Sequence, residues 1–357
     1  MSASTEIGPQ IAPNFAHLCR LSTAKGVFEH CEGVMPRPEH GYCTDDVARA
    51  LVAVVREPLA AGPASRTMSA LARSYLGFLA EAHRGGGRFA NRRHLGGRWL
   101  DDEVFAAAGD DPHADASGRA LWALGEASVG LQDSTYRRAA GNLFDEACCF
   151  RSPWPRSTAF AVLGAGAVAA ADPSHVGAAM LLADAAEQVA GWSLGIASSD
   201  WPWPEPRLTY ANALLPEMLL VLGRELRLGT FVDEGLRQLA WLVEVETAPG
   251  GWLSPTPVGG WGAGDPRPGF DQQPIEVATL ADAAVTAWTL TRDPHWVDVV
   301  LRCSEWFLGN NDAATPMVDL RSGAGFDGLT SDGRNENCGA ESTIAAITTL
   351  QWARMVA

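Results

Sequence analysis

Six stretches of the sequence set carboxylates among aromatic, amide, histidine or arginine side chains, or set aromatics beside arginine. They read HGYCTDD (40–46), HADASGR (113–119), SPWPRS (152–157), DWPWPEPRLTYAN (200–212), FDQQPIE (270–276) and NENCGAES (335–342). Such residue types suit a sugar, because flat aromatic rings cover its C–H faces while Asp, Asn, Gln and Arg bond its hydroxyls in pairs. Trp99, Trp201 and Trp203 lie in loops and are the expected stacking platforms. Cleaving a glycosidic bond takes one carboxylic acid to protonate the leaving oxygen and one carboxylate as base or nucleophile. Glu205, flanked by Trp203, Pro204 and Pro206, is the first choice for the acid, since a desolvated carboxyl holds its proton to higher pH. Asp46, Asp271, Glu276 and Glu341 compete for the base. Asp271, on a loop ahead of Pro274, is preferred, although an N-cap role suits it equally. Asp45 and Asp46 are adjacent, so at most one is expected in the pocket while the other caps the helix or pairs with Arg49. Capping alone accounts for Thr44, Asp45 and Ser342, but not for two tryptophans beside Glu205 or for Gln272, Gln273 and Glu276 together.

The elements that must position these residues are helices. Apolar positions at helical spacing on one face, such as Met68, Leu71, Tyr75, Phe78, Leu79 and Ala82, mark outer helices with a wet side. Segments apolar nearly all round, including 47–55, 159–171, 213–222, 277–290 and 344–352, must be buried. The two kinds alternate, and Asp172-Pro173 and Asp293-Pro294 give start signals for outer helices. Six inner helices, starting near Thr44, Asp115, Arg156, Leu208, Gln273 and Ala340, predict an all-α double-walled ring, an (α/α)6 toroid. Residues 15–22 supply the sixth outer helix, so that 1–357 forms a single domain closed by its N-terminal helix against its C-terminal one. The repeats share no common signature, which argues against an open helical solenoid. Parallel inner helices then bring all six motifs to one mouth.

Bulk properties narrow the partners. A formal charge of -15 over 357 residues, with 27 Lys and Arg against 42 Asp and Glu, repels nucleic acid and anionic membranes. The N-terminal residues lack a signal-peptide pattern, and no stretch has the roughly 18 uninterrupted apolar residues of a spanning helix, so a cytoplasmic protein is expected. Seven cysteines, two of them adjacent, suit reduced thiols. His30, Cys31, His40 and Cys43 match no zinc-ligand spacing, and neither metal nor cofactor is expected.

The phrases HLCRLSTAKGVFEHCEGV, HGYCTDDVARAL, SGRALWALG, WPWPEPRLTYANALLPE, FDQQPIEVATLADA and DGLTSDGRNENCGAES, spread over nearly the whole chain, resemble a family of bacterial six-hairpin, glycosidase-like domains. That family occurs alone or fused behind a glycosyltransferase and is associated with mannoside metabolism. The resemblance therefore implies a mannose-containing glycan and a functional association with a glycosyltransferase. It implies His40, Tyr42, Asp45, Asp46, Asp115, Arg119, Glu205, Tyr210, Asn212, Gln273, Glu276 and Glu341 as pocket residues, with no catalytic role assigned. The sequence departs from the family pattern at Ser117, where a histidine is usual, and at Pro206, where an acidic residue is common; either change points to altered specificity or to binding without cleavage. The leading expectation is a glycoside hydrolase. A sugar epimerase moving a proton with paired histidines, His40 and His113 being those near helix starts, is the second reading, and a non-catalytic glycan-binding partner the third.

Overall fold

The computed structural model describes residues 12–58, 62–100, 113–192 and 201–357. Twelve helices run through them: α1 (Ala16–Leu21), α2 (Thr44–Arg56), α3 (Pro63–Ala82), α4 (Ala114–Gly130), α5 (Ser134–Ala147), α6 (Pro155–Ala171), α7 (Val176–Trp192), α8 (Leu214–Glu225), α9 (Gly229–Val245), α10 (Pro274–Thr291), α11 (Pro294–Phe307) and α12 (Ala340–Val356). The even-numbered helices form the inner wall, each packing on the next, and α12 returns to pack on α2. Outside, α3, α5, α7, α9 and α11 each cover the inner helix that precedes them, and α1 covers α12. The fold is an (α/α)6 toroid.

Composition explains which wall each helix joins. α10 is apolar on nearly every face and is buried along most of its length, whereas α9 buries only Gly235, Gln238, Leu239, Leu242 and Val243. Small residues let inner helices touch through their backbones. A Cβ on Gly125 would stand 2.3 Å from the Gly164 carbonyl oxygen, and one on Gly118 2.3 Å from that of Ser157. The α4–α6 seam therefore excludes any larger side chain at these points.

Start signals are borne out in part. Pro155, Pro274 and Pro294 open α6, α10 and α11, and the Asp293 carboxylate accepts the His295 amide at 2.9 Å. Asp172 does not cap α7; its carboxylate accepts the amide and hydroxyl of Ser174 in the turn before that helix. α8 begins at Leu214 rather than near Leu208, because Thr209–Asn212 turn sharply: Ala211 has φ +45° and the Asn212 side-chain oxygen accepts the Thr209 amide at 2.9 Å. The loops at the mouth also carry short strand pairs where the sequence shows no strand pattern, among them 42–43 paired with 92–93 across the α2–α3 segment and the hairpin of 328–330 with 333–335.

At the far end of α2, Arg56 pairs with Asp282 of α10 and lies 3.8 Å from the Glu126 carboxylate of α4. The indoles of Trp122 and Trp352 flank its guanidinium at 5.4 and 4.5 Å. Glu217 of α8, buried beside them, accepts the Thr286 hydroxyl at 2.8 Å; burial, with the Asp282 charge adding, pushes its carboxyl up to about 8.

Candidate active site

A cavity of about 480 Å³ opens at the leading ends of the inner helices. Its floor is the first turn of α2, fixed where the Thr44 hydroxyl donates to the Ala90 carbonyl at 2.6 Å and the Thr44 amide to the Asn91 carbonyl at 2.8 Å. Asp45 and Asp46 both line the cavity, which corrects the expectation that only one would. Each has its own guanidinium. Arg119 of α4 donates to Asp45 at 2.7 Å; Arg49, one turn along α2, donates to Asp46 at 2.7 Å and to Glu341 of α12 at 2.8 Å.

These surroundings drive the two neighbouring carboxyls apart. Burial pushes Asp46 up, Arg49 offsets part of that, and the charges of Glu341, Glu29 and Asp45 add to it, leaving Asp46 at about 7. Burial also acts on Asp45, but Arg119 and Arg49 outweigh it and hold this carboxyl below its ordinary range. One proton can therefore rest on Asp46 near neutrality while Asp45 stays ionised.

The wall continues through Tyr210, Gln273 and Glu341, with Glu29, His30, Arg92, Asp327, Asn335 and Ser342 completing it. Tyr210 accepts from Arg119 at 3.1 Å and donates to Asp115, which also accepts from Ser157. Asp115 thus stands behind the wall and orients Tyr210. Glu276 and Asn212, expected in the pocket, are buried beneath the same turn. The Glu276 carboxylate accepts the amides of Ala211 and Asn212 and, at 3.1 Å, the Asn212 side chain, holding Ala211 in its left-handed conformation. Burial, with Glu246 nearby, pushes Glu276 up to about 8.

Other expectations fail. Glu205 lies outside the cavity lining, with both oxygens taken by Arg156 at 2.7 and 2.8 Å, so it is not free to present a proton to a leaving group. Trp203 is fully buried and Trp201 nearly so; with Trp241 and Trp261 they form an aromatic cluster that packs the loop and offers no face to a ligand. Asp200, which opens that motif, lies outside the described residues. Asp271 is exposed on its loop and does not line the cavity; Gln273, not Asp271, stands at the N-cap of α10. Tyr42 is buried against Phe28, and Trp99 packs on Phe78 beneath Arg84 and Arg93. His40 is exposed and meets only the edge of His30, 5.0 Å away, while His113 is the residue before α4. Ser117 is structural, its hydroxyl accepting the Phe89 amide at 2.9 Å.

The soft ligands near the N-terminus do not converge. Cys31 lies 4.0 Å from His17, and the Cys43 thiol donates to Asn91 and Asp45. Glu29, Cys43 and Asp46 do bring one donor atom each within 4.8 Å of one another, but arginines already occupy both carboxylates. All seven cysteines are free, and no helix among the described residues is long and apolar enough to cross a membrane.

No protein-family profile matches the chain, and no curated protein is found to match it. Solved structures do. A sugar epimerase from a ruminal bacterium superposes with a TM-score of 0.68 at 10% identity, over 98% of each chain. A cellobiose 2-epimerase from Bacillus thermoamylovorans gives 0.66 at 10% identity, over 96% of this chain and 95% of that one. The GH76 α-mannanase of Bacteroides thetaiotaomicron gives 0.61 at 11% identity, over 94% and 91%. At such identities the likeness establishes the toroid and leaves the activity to the site.

Proposed function

We propose that the protein is a glycoside hydrolase acting on an oligosaccharide, with Asp46 as the general acid and Glu341 as the base. The observation that carries this is the Asp46 carboxyl, buried at the cavity floor and held at about 7, where an acid can still donate at neutral pH. Asp46 protonates the glycosidic oxygen as the bond from the anomeric carbon to that oxygen breaks. Glu341, whose side chain is 39% exposed, takes a proton from the water that adds to the anomeric carbon. Arg49 bridges the two carboxyls, bonding Asp46 at 2.7 Å and Glu341 at 2.8 Å, and so fixes acid and base relative to one another. Tyr210, Gln273 and Asn335 are left to hold sugar hydroxyls.

Mannose-containing substrates are the first to test, in keeping with the family resemblance and with the α-mannanase fold neighbour. Incubation with manno- and gluco-oligosaccharides should release sugar, with the anomeric configuration of the product read by proton NMR, and Asp46→Asn should abolish release. Absence of release from every oligosaccharide by the parent protein would sink the hydrolase reading.

An epimerase is the second reading, favoured by His30 in the cavity wall and by the two epimerase fold neighbours. Exchange of the sugar C2 hydrogen with deuterated water, lost in His30→Ala, would replace the hydrolase reading with this one. The free thiols support a cytoplasmic setting, and co-purification with a glycosyltransferase would test the association.

A further inference from the structure

Resting on the carbohydrate reading above, we infer that the cavity admits uncharged and ammonium-bearing sugars and rejects anionic ones, namely sugar phosphates and uronic acids. Five carboxyls line it, from Glu29, Asp45, Asp46, Asp327 and Glu341, Asp46 being the one that can hold a proton near neutrality, against three guanidiniums, from Arg49, Arg92 and Arg119, and the His30 imidazole. Each guanidinium is already engaged: Arg49 by Asp46 and Glu341, Arg119 by Asp45, Arg92 by Glu29. A phosphate or carboxylate on the ligand would have to displace one of these partners and would then face the released negative charge.

Helix starts are the other natural home for an anion, and here the protein's own acids occupy them. Asp45 and Asp46 sit in the first turn of α2 and Glu341 in that of α12. At the α12 start the Gly339 amide donates to Asp327 at 2.7 Å, and the Ser342 hydroxyl donates to the same oxygen. The sequence closes the count of cations. The stretches outside the described residues, 1–11, 59–61, 101–112 and 193–200, contain no lysine, arginine or histidine, whereas 101–112 alone carries Asp101, Asp102, Glu103, Asp110 and Asp111. No further basic side chain exists to join the wall from those stretches.

Calorimetric titration of the full chain with mannose, mannosamine, mannuronic acid and mannose 6-phosphate tests the inference. The two anionic sugars should bind at least about tenfold more weakly than mannose, with the gap widest at low ionic strength. Glu341→Gln, which removes one carboxylate, should narrow that gap. Anionic sugars binding as tightly as mannose would overturn the charge rule and leave the carbohydrate reading standing. A gap untouched by Glu341→Gln and by salt would overturn its electrostatic cause. Failure of all four probes to bind would overturn the carbohydrate reading and this inference together.

Discussion

Arg49 and Arg56 lie seven positions apart on α2, two turns of one helix; Arg49 gathers Asp46 of its own helix and Glu341 of α12, and Arg56 gathers Glu126 of α4 and Asp282 of α10. Around Arg49 the partners Asp46 and Glu341 border an open cavity of about 480 Å³. Around Arg56 the indoles of Trp122 and Trp352 stand where a ligand would stand above, and Asp282 and Glu217 are buried with it, with Glu126 half-buried at the edge. The same pairing of guanidinium and carboxylate thus serves two ends. With room beside it, it gives two neighbouring carboxyls at an open cavity different protonation states; packed under tryptophan, it pins helices to one another. Charge at a ring axis is therefore no sign of a site until space adjoins it.

The largest effect should come from breaking the open cluster. Asp46→Asn should lower kcat/KM by about a thousandfold, roughly 4 kcal/mol on the barrier, with little loss of stability because the amide keeps a contact to Arg49. Steady-state kinetics beside thermal denaturation checks it, and an unfolded variant would erase the distinction between the clusters. Next, Arg56→Met should destabilise the fold by about 3–5 kcal/mol in denaturant titration, since it strands buried carboxylates. A loss under about 1 kcal/mol would show the enclosed cluster to be no pin.

Acidity sharpens the contrast. Glu217 has a folded value of about 8 against an ordinary 4.5, so the unfolded chain releases this proton first. Its contribution is fully present below pH 4.5 and declines as pH rises through about 8. Glu217→Gln should flatten that fall in urea midpoints, while kcat/KM, governed by Asp46, should drop as pH rises through about 7 in both proteins. The smallest effect belongs to Glu205→Gln, which should leave kcat within about threefold and raise KM, because Arg156 then holds the loop of Tyr210 less firmly.

The ring was legible because burial on every face leaves an inner helix no polar stripe, a signal that needs no tertiary information. The mouth was legible too, since Asp45, Asp46, Arg119, Tyr210, Gln273 and Glu341 do meet there. The choice of acid failed for a physical reason: tryptophan and proline around Glu205 signal desolvation, but the same residues bury one another, and Arg156 takes the carboxylate. Arg92 was missed because its two-residue strand pairs with 42–43, a contact remote in sequence, and Glu29 and Asp327 because they sit in loops with no periodic pattern to place them. Arg49 was visible only as a partner of its neighbours on α2, not as the link to Glu341.

His17, in the first helix, bonds the Cys338 carbonyl across 321 positions, and the Ala340 amide reaches the Glu29 carbonyl at 3.0 Å. The wall that carries Glu29 and the wall that carries Glu341 are thus one seam stitched from opposite ends of the chain. A nascent polypeptide holds half of that seam until the ribosome has delivered α12, so this part of the cavity wall closes only after translation has passed that helix.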